Sequence, residues 1–337
     1  MARIGIVGGG GWGTALAHHM ALQEGDIDLW VREEEVCLQI ERRGVNEEFL
    51  PGVSLSPGIH PVRSLAEVSS NKEFLIIVVP SQFFRTIVTE ISPLLPPSTP
   101  LLVATKGIEN DTLMTMSQVV ASVRGRGCDH ALACLSGPSF AREVCEQHPT
   151  AVTIASSNAE LAAMFQERLS TEYFRAYTTD DVIGVELGGA LKNVIAIAAG
   201  VCDGLGFGDN AKSALLTRGL AEIRRLGVAM GARPQTFAGL TGLGDLITTC
   251  VSPYGRNRTV GMRLGRGETL EQILSEMQQV AEGVRTTRSA RALAERQGVE
   301  MPITREVYAV LFEGKSPRQA VSDLMQRAPR PELDEPV

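Results

Sequence analysis

The feature that most constrains the fold is a glycine-rich turn near the amino terminus, between a short apolar run and a stretch with helical spacing. The apolar run Ile4–Val7 is typical of a buried strand, and Gly8, Gly10 and Gly13 follow it in a Gly-x-Gly-x-x-Gly spacing. In that context Gly8 permits a tight turn, Gly10 lets the backbone approach a pyrophosphate, and Gly13 lets the helix pack on the strand. The pattern predicts a dinucleotide site, although a run of four glycines is also compatible with a merely flexible turn.

Over the first half of the chain, short apolar runs alternate with amphipathic stretches. The predicted strands are Ile4–Val7, Ile27–Val31, Phe74–Val79, Leu101–Ala104, Leu132–Leu135 and Ala151–Ala155. Phe83–Leu94 and Thr112–Val123 between them have helical spacing. Such βα repeats predict an α/β, Rossmann-type domain with a doubly wound, mostly parallel sheet, over residues 1–179.

After Thr179 the pattern changes to helical spacing alone. The predicted helices are Asp181–Val201, Ser213–Met230, Leu270–Met277, Val284–Gln297, Ile303–Phe312 and Pro317–Met325. We therefore expect a second, all-α domain over residues 180–326. The proline-rich and charged tail, residues 327–337, is expected to be disordered or peripheral.

Charge and cysteine spacing limit the possible ligands. The 337 residues carry 32 Lys and Arg against 39 Asp and Glu, a net charge of −7, which argues against nucleic-acid or anionic-membrane partners. An anionic ligand must then meet a locally basic pocket. The six cysteines show no metal-ligand spacing, so we expect reduced, structural thiols and no metal.

The apolar segments predict a soluble, cytoplasmic protein. The amino terminus superficially resembles a signal peptide, but four consecutive glycines interrupt its apolar run. The longest later apolar run, Val194–Cys202, is shorter than the roughly 20 residues that a spanning helix needs. No membrane insertion is expected.

The residues after the second predicted strand bear on the choice of cofactor. An acidic residue there would bind the ribose 2′-hydroxyl of NAD, but this chain has Arg32, followed by Glu33 and Glu34. Arg32 is suited to the 2′-phosphate of NADP, or it is an ordinary surface arginine. The expected cofactor is therefore NADP or NAD, with NADP favoured.

One lysine lies in an unusual helical context. Lys192 is surrounded by small and apolar residues, and Gly188 and Gly189 each weaken the helix by about 1 kcal/mol relative to alanine. Close approach of a ligand or of another backbone would explain these glycines. Burial disfavours the charged form of a lysine and suits it to proton transfer, whereas a side chain that reaches solvent would be ordinary.

A basic turn is the second candidate site. Gly255-Arg256-Asn257-Arg258 leads into a helical stretch and offers two guanidinium groups and an amide. Guanidinium forks and helix N–H groups suit a phosphate, while a solvated basic turn is the alternative.

Several segments together resemble bacterial NAD(P)-dependent glycerol-3-phosphate dehydrogenases. The resemblance spans nearly the whole chain, in the family's order. The segments are GGGGWGTALA from Gly8, TKGI from Thr105, LSGPSFA from Leu135, GALKNVIA from Gly189, GLTGLGDL from Gly239, GRNR from Gly255 and VAEGV from Val280.

The resemblance implies a reaction: reversible reduction of dihydroxyacetone phosphate to sn-glycerol 3-phosphate by hydride transfer from NAD(P)H, with Lys192 as general acid/base. It also implies a role in phospholipid synthesis, a homodimer, and a carboxyl-terminal domain like that of 6-phosphogluconate dehydrogenase. The implied substrate residues are Lys106, Gly137, Ser139, Lys192, Asp245, Gly255, Arg256 and Asn257. The implied cofactor residues are Gly8, Gly10, Gly11, Trp12, Gly13, Arg32, Lys106, Ala141, Arg256, Val280 and Glu282.

Some of these positions carry alternatives. The family often has Ser where this chain has Gly11 and Gly255, so side-chain contacts are lost there and backbone N–H contacts remain. Asp245 is either a hydrogen-bonding neighbour of Lys192 or a helix N-cap, and the two roles are compatible.

Two other functions remain open from the sequence. One is another two-domain dehydrogenase, acting on 6-phosphogluconate, a 3-hydroxyacyl thioester or ketopantoate. The other is a non-catalytic sensor that binds NAD(P)H, against which Lys192, Asp245 and Arg256 argue.

Overall fold

The computed structural model describes residues 3–125, 127–277, 280–329 and 331–332, and it begins with a sheet of eight strands. The strands are β1 (Ile4–Val7), β2 (Ile27–Trp30), β3 (Ile59–Val62), β4 (Phe74–Ile77), β5 (Leu101–Val103), β6 (Leu132–Ser136), β7 (Thr150–Ala155) and β8 (Phe174–Thr179). Their order is β3-β2-β1-β4-β5-β6-β7-β8. Every neighbouring pair is parallel except β6 and β7, which are antiparallel.

The sheet confirms the predicted fold class and adds two strands at its edges. β3 has the sequence Ile-His-Pro-Val, and its proline is tolerated because β3 is an edge strand. β8, at the other edge, alternates buried and exposed residues at its start, as a strand with one covered face does.

Helices cover both faces of the sheet. They are α1 (Gly11–Glu24), α2 (Glu34–Arg43), α3 (Leu65–Ser69), α4 (Ser81–Ile91), α5 (Met116–Arg124), α6 (Ala141–Cys145) and α7 (Ala159–Leu169). One apolar cluster packs α1 and α7 against one face, and a second packs α4 and α5 against the other. α5 begins four residues later than predicted because Leu113 has a positive φ of 60° and Thr115 forms a capping box with Gln118.

The helices of the second domain surround one central helix. They are α8 (Val182–Gly204), α9 (Asp209–Ala229), α10 (Asp245–Val251), α11 (Arg256–Gly265), α12 (Leu270–Glu276), α13 (Glu282–Gln297), α14 (Pro302–Phe312) and α15 (Pro317–Met325). Helix α8 contacts α9, α10, α11 and α13 and is buried along most of its length. This confirms the predicted all-helical second domain.

Within the described part of the chain, α8 alone is long and apolar enough to cross a membrane by those two criteria. Helix α8 is longer than the uninterrupted apolar run Val194–Cys202, because it also includes the charged residues Glu186 and Lys192. Most of its apolar window is buried inside the protein, as in the core helix of a globular domain.

Glycines allow α8 and α11 to cross closely. A methyl group on Gly261 would overlap the carbonyl oxygen of Ile197. Gly204 and Gly265 meet further along the same crossing, where a Cβ on either residue would lie 2.9 Å from the other's Cα. The close crossing holds the start of α11 beside the middle of α8, where Lys192 lies.

Candidate active site

The glycine-rich turn leaves one face of its backbone open. Gly8 has a φ of 132°, and a side chain there would overlap the carbonyl oxygen of Val78. A side chain on Gly13 would overlap the carbonyl oxygen of Gly8, so this glycine allows α1 to pack on the turn. Gly10 has no described atom within 4 Å of its Cβ position. The open face adjoins the start of α1, whose N-cap glycine offers no side-chain acceptor, and this suits a pyrophosphate.

Neighbouring residues fix the turn. Buried Asn46 donates its amide to the carbonyl oxygen of Gly9 at 2.9 Å and to the hydroxyl of Thr14 at 2.8 Å. Gly11 lies under the carbonyl oxygen of Phe49, 2.7 Å from its Cβ position, so a serine would require a local shift. The buried indole nitrogen of Trp12 has no hydrogen-bond partner among the described residues.

Arg32 lies two residues beyond the carboxyl end of β2 and is exposed. Its guanidinium pairs with Glu33 through contacts of 2.8 and 2.5 Å. A 2′-phosphate would therefore have to compete with this carboxylate.

A buried cluster of charged side chains forms between the two domains. The ammonium of Lys192 on α8 donates to the carboxylate of Asp245 and, at 2.9 Å, to the hydroxyl of Thr249. The other carboxylate oxygen of Asp245 accepts from Lys106, which follows β5, at 2.9 Å. Lys106 also donates to the carbonyl oxygen of Gly137 at 3.1 Å. One carboxylate thus binds two lysines that come from different domains.

Burial changes the proton affinity of this cluster. Desolvation lowers the pKa of Lys192 to about 7, and the nearby charge of Lys106 acts in the same direction while Asp245 opposes both. Burial alone would raise the pKa of Asp245, but the charges of Lys106 and Lys192 bring it below its usual value. Lys192 can therefore exchange a proton near neutral pH while Asp245 stays ionised.

A π-helical turn positions Asp245. Leu240–Gly244 runs directly into α10, and Asp245 is the first residue of that helix. Thr249 lies one turn later on the same face, as an i,i+4 neighbour. The N-cap alternative for Asp245 is wrong, because Gly244 occupies that position and the Asp245 carboxylate binds the two lysines.

Gly188 and Gly189 let α8 approach the rest of the site. A side chain on Gly188 would lie 2.7 Å from the carbonyl oxygen of Thr241, in the π-helical turn. One on Gly189 would lie 2.5 Å from the hydroxyl of Ser136, at the end of β6. Of the two explanations offered by the sequence, close packing against protein accounts for both glycines.

The basic turn provides one available guanidinium. Arg256 is exposed, begins α11, and donates to the carbonyl oxygen of Val280 at 3.2 Å. Arg258 instead forms an ion pair with Asp203 at 2.6 Å, with both side chains largely buried. The prediction that both arginines suit a phosphate is therefore wrong for Arg258.

Asn257 is buried and connects three helices. Its amide nitrogen donates to the side-chain oxygen of Asn193 at 2.9 Å, and its oxygen accepts from the backbone N–H of Gly283 at 2.9 Å. Because Asn193 follows Lys192, this chain of bonds ties the lysine's helix to α11 and α13.

Other predicted residues lie after β6 and at the start of α13. Gly137 has a φ of 136°, and its carbonyl oxygen accepts from the hydroxyl of Ser139 at 3.1 Å. Ala141 begins α6, two residues further on. Glu282, at the start of α13, accepts from the hydroxyl of Ser81 at 2.7 Å and from its backbone N–H at 3.2 Å, which joins the two domains.

Three residues of this region were missed from the sequence: Asn46, Asn193 and Thr249. Thr249 had a usable signal, since it lies four residues after Asp245 on a helix. Asn46 and Asn193 act through partners distant in the chain, which no local pattern reveals.

The structure also bears on metals and thiols. Over the described residues, no group of three or more His, Cys, Asp or Glu side chains is placed to hold a metal ion. The six cysteines are buried and free.

Family models, curated relatives and a solved structure at 38% identity all indicate one family. Two family models match, described as the N-terminus and the C-terminus of NAD-dependent glycerol-3-phosphate dehydrogenase, over residues 3–162 and 181–322. The glycerol-3-phosphate dehydrogenase [NAD(P)+] of Geobacter metallireducens is 53% identical over 330 residues, 98% of each chain. That of Geobacter sulfurreducens is 53% identical over 325 residues, covering 96% of this chain and 97% of its own. The crystal structure of glycerol-3-phosphate dehydrogenase from Coxiella burnetii superimposes with a TM-score of 0.92 at 38% identity, covering 96% of this chain and 98% of that one.

Proposed function

Because this chain belongs to the NAD-dependent glycerol-3-phosphate dehydrogenase family, we propose that it reversibly reduces dihydroxyacetone phosphate to sn-glycerol 3-phosphate with NADPH or NADH. The observation that carries the proposal is the buried Lys192–Asp245–Lys106 cluster between the domains. A neutral-pH proton donor at that place is what reduction of a carbonyl requires.

A nicotinamide held beside the cluster would supply the hydride for the substrate's carbonyl carbon. Lys192 donates the proton to the carbonyl oxygen, so that a hydroxyl forms and the lysine becomes neutral. Asp245 and Thr249 hold the ammonium in place, and Lys106 offers a second positive charge to the oxygen as it becomes negative. In the reverse direction neutral Lys192 removes the hydroxyl proton.

We assign the substrate phosphate to the start of α11. Arg256 is accessible there, and the backbone N–H groups that follow Gly255 have no side-chain cap. Asn257 uses one amide hydrogen on Asn193, which leaves the second for the substrate. Gly137 and Ser139 complete the substrate side of the site. Binding the non-reacting phosphate would position the carbonyl against the nicotinamide.

We assign the cofactor to the open face of the glycine-rich turn. Gly8, Gly10, Gly11 and Gly13 shape the backbone at the pyrophosphate, and Trp12 lies among them at the start of α1. Ala141, Val280 and Glu282 belong to the nicotinamide side. Arg32 favours NADP over NAD, in competition with Glu33.

We further propose a cytoplasmic homodimer that supplies glycerol 3-phosphate for phospholipid synthesis.

We place the domain boundary between residues 179 and 180, because β8 ends at Thr179 and α8 begins at Val182. The second domain then ends at residue 326. Of the tail, residues 327–337, Arg330 and residues 333–337 lie outside the described residues.

The test follows NADPH and NADH absorbance with purified protein and dihydroxyacetone phosphate, for the wild type and for Lys192→Ala. Wild type should oxidise the cofactor, and Lys192→Ala should lose about 10²- to 10⁴-fold in kcat while it still binds cofactor. If the wild type binds both cofactors and oxidises neither, the substrate assignment fails. If Lys192→Ala keeps full activity, Lys192 has no part in proton transfer.

A further inference from the structure

A second concave site lies at the junction of the two domains, lined by other residues than those assigned above but adjoining the Ser81–Glu282 contact. It is a groove of about 500 Å³. Its lining residues are Gln82, Asn110, Asp111, Leu270, Leu274, Val284, Arg285, Arg288 and Phe312. None of them belongs to the substrate or cofactor sets, and the volume lies within the range of small-molecule sites.

Two arginines in the groove stack on aromatic rings, and Arg285 also lies within electrostatic range of Glu282. Among the described residues, no carboxylate forms an ion pair with Arg285 or Arg288, and each guanidinium instead lies over an aromatic ring. Arg288 is 3.9 Å from the ring centre of Phe312, and Arg285 is 5.6 Å from that of Phe83. Arg291, one turn further along α13, shows the contrast, because it pairs with two glutamates.

Unpaired arginines are notable in a chain with a net charge of −7. Stacking on a ring limits the motion of a guanidinium and leaves its N–H groups free for an oxyanion. The one acidic residue of the lining, Asp111, is exposed. The charges of the groove therefore favour a ligand with a negative group.

Besides the charged residues and the amides of Gln82 and Asn110, the lining is apolar. Leu270 and Leu274 of α12 lie opposite Val284 and Phe312 of the neighbouring helices, and Leu274 is 42% exposed. An exposed and a half-buried leucine beside two arginines suit a molecule that has both a hydrocarbon part and an anionic end.

We propose that this groove binds a small anionic amphiphile, an aliphatic chain that ends in a phosphate or carboxylate. Arg285 and Arg288 bind the oxyanion, and the leucines contact the chain. Gln82 and Asn110 come from the first domain and α13 from the second, so the ligand touches both domains.

Calorimetry on the full-length protein with butyl and octyl phosphate tests the chemistry. Glycerol phosphate is kept in excess, to fill the phosphate site at Arg256. Octyl phosphate should bind more tightly than butyl phosphate, by up to about fourfold per added methylene that the groove buries. Equal affinity for octyl phosphate and inorganic phosphate, or no binding of octyl phosphate, would overturn the proposal.

Variants place the ligand in the groove. Arg288→Gln keeps a polar side chain but removes the positive charge, and it should raise the Kd of octyl phosphate about tenfold or more. Asp111→Asn removes the opposing charge and should lower that Kd. Arg291→Gln is the matched control, on the same helix but outside the lining, and should leave the Kd unchanged. An unchanged Kd in Arg288→Gln, with Arg285→Gln also unchanged, would exclude this site. The readout is binding, so it does not depend on which reaction the enzyme catalyses.

Discussion

At the scale of single residues, the proposed role of Lys192 as proton donor predicts the direction in which pH acts on the reaction. Its pKa is lowered to about 7 by burial, so the ammonium predominates below that pH and the neutral amine above it. Reduction needs the ammonium as acid. Its kcat/KM should therefore be level at low pH and fall about tenfold per pH unit above the pKa of Lys192. Oxidation of glycerol 3-phosphate needs the amine and should show the opposite limb. Matching profiles in the two directions would contradict the role of Lys192.

Asp245 should set the position of that limb. Its carboxylate favours the charged form of Lys192, so Asp245→Asn should lower the pKa of Lys192 further, by at least about one unit. The limb for reduction then moves to lower pH, and activity at neutral pH falls. Thr249→Val is the control, because it removes a neutral partner of the same ammonium and should shift the limb far less. The pH dependence of kcat/KM, measured on the wild type, Asp245→Asn and Thr249→Val, distinguishes an electrostatic role of Asp245 from a loss of folding.

Arg32 should affect one cofactor and not the other. Arg32→Ala removes the guanidinium two residues beyond β2 and should raise the KM for NADPH about tenfold or more, with the KM for NADH nearly unchanged. Glu33→Gln is the complementary change, because it frees Arg32 and should lower the KM for NADPH. An equal effect of Arg32→Ala on both cofactors would show that Arg32 has no part in discrimination.

At the scale of elements, the crossing of α8 and α11 should tolerate no added volume. Gly261→Ala places a methyl group against the carbonyl oxygen of Ile197, and we expect a loss of about 1–3 kcal/mol in the free energy of unfolding. Gly208→Ala is the control, because the same methyl there meets no described atom within 4 Å. Urea denaturation of both variants measures the difference, and equal midpoints would mean that the crossing adjusts without cost.

The strands and helices also show which parts of the fold sequence patterns can predict. The buried strands and long helices have strong periodicity, and they were predicted from it. β3 was not predicted, because its proline and histidine interrupt the apolar pattern, which an edge strand tolerates. The π-helical turn before α10 was also unforeseen, since it depends on packing against Gly188 rather than on local propensity.

In the candidate site, too, residues with local signals were predicted and residues with distant partners were not. The apolar surroundings of Lys192, which are local in the sequence, singled it out but left burial and access to solvent open, and the structure places it in a buried cluster. Arg258 was mistaken for a ligand group because its partner, Asp203, lies 55 residues away in the chain. The hydrogen bonds of the Asn257 and Asn46 side chains could not be predicted for the same reason, because each joins segments that only the tertiary fold brings together.

At the scale of the whole molecule, Glu282 joins the domains through Ser81. Glu282→Ala removes both bonds and should raise the Kd for NADPH several-fold, because the residue lies at the proposed nicotinamide side. Glu282→Gln keeps an acceptor oxygen and should recover most of the affinity. Fluorescence titration of bound NADPH gives both values, and identical Kd values in Glu282→Ala and the wild type would separate this contact from cofactor binding.

Helix α8 is both the packing centre of the second domain and the carrier of Lys192. In many enzymes the reacting groups lie on loops that can lose order while the scaffold survives. Here the same backbone serves both purposes, so heat inactivation and the melting of the helical domain should be one event with one midpoint. A substitution in this helix must therefore meet two conditions: it must fit the packed core, and it must keep Lys192, the proposed proton donor, in position.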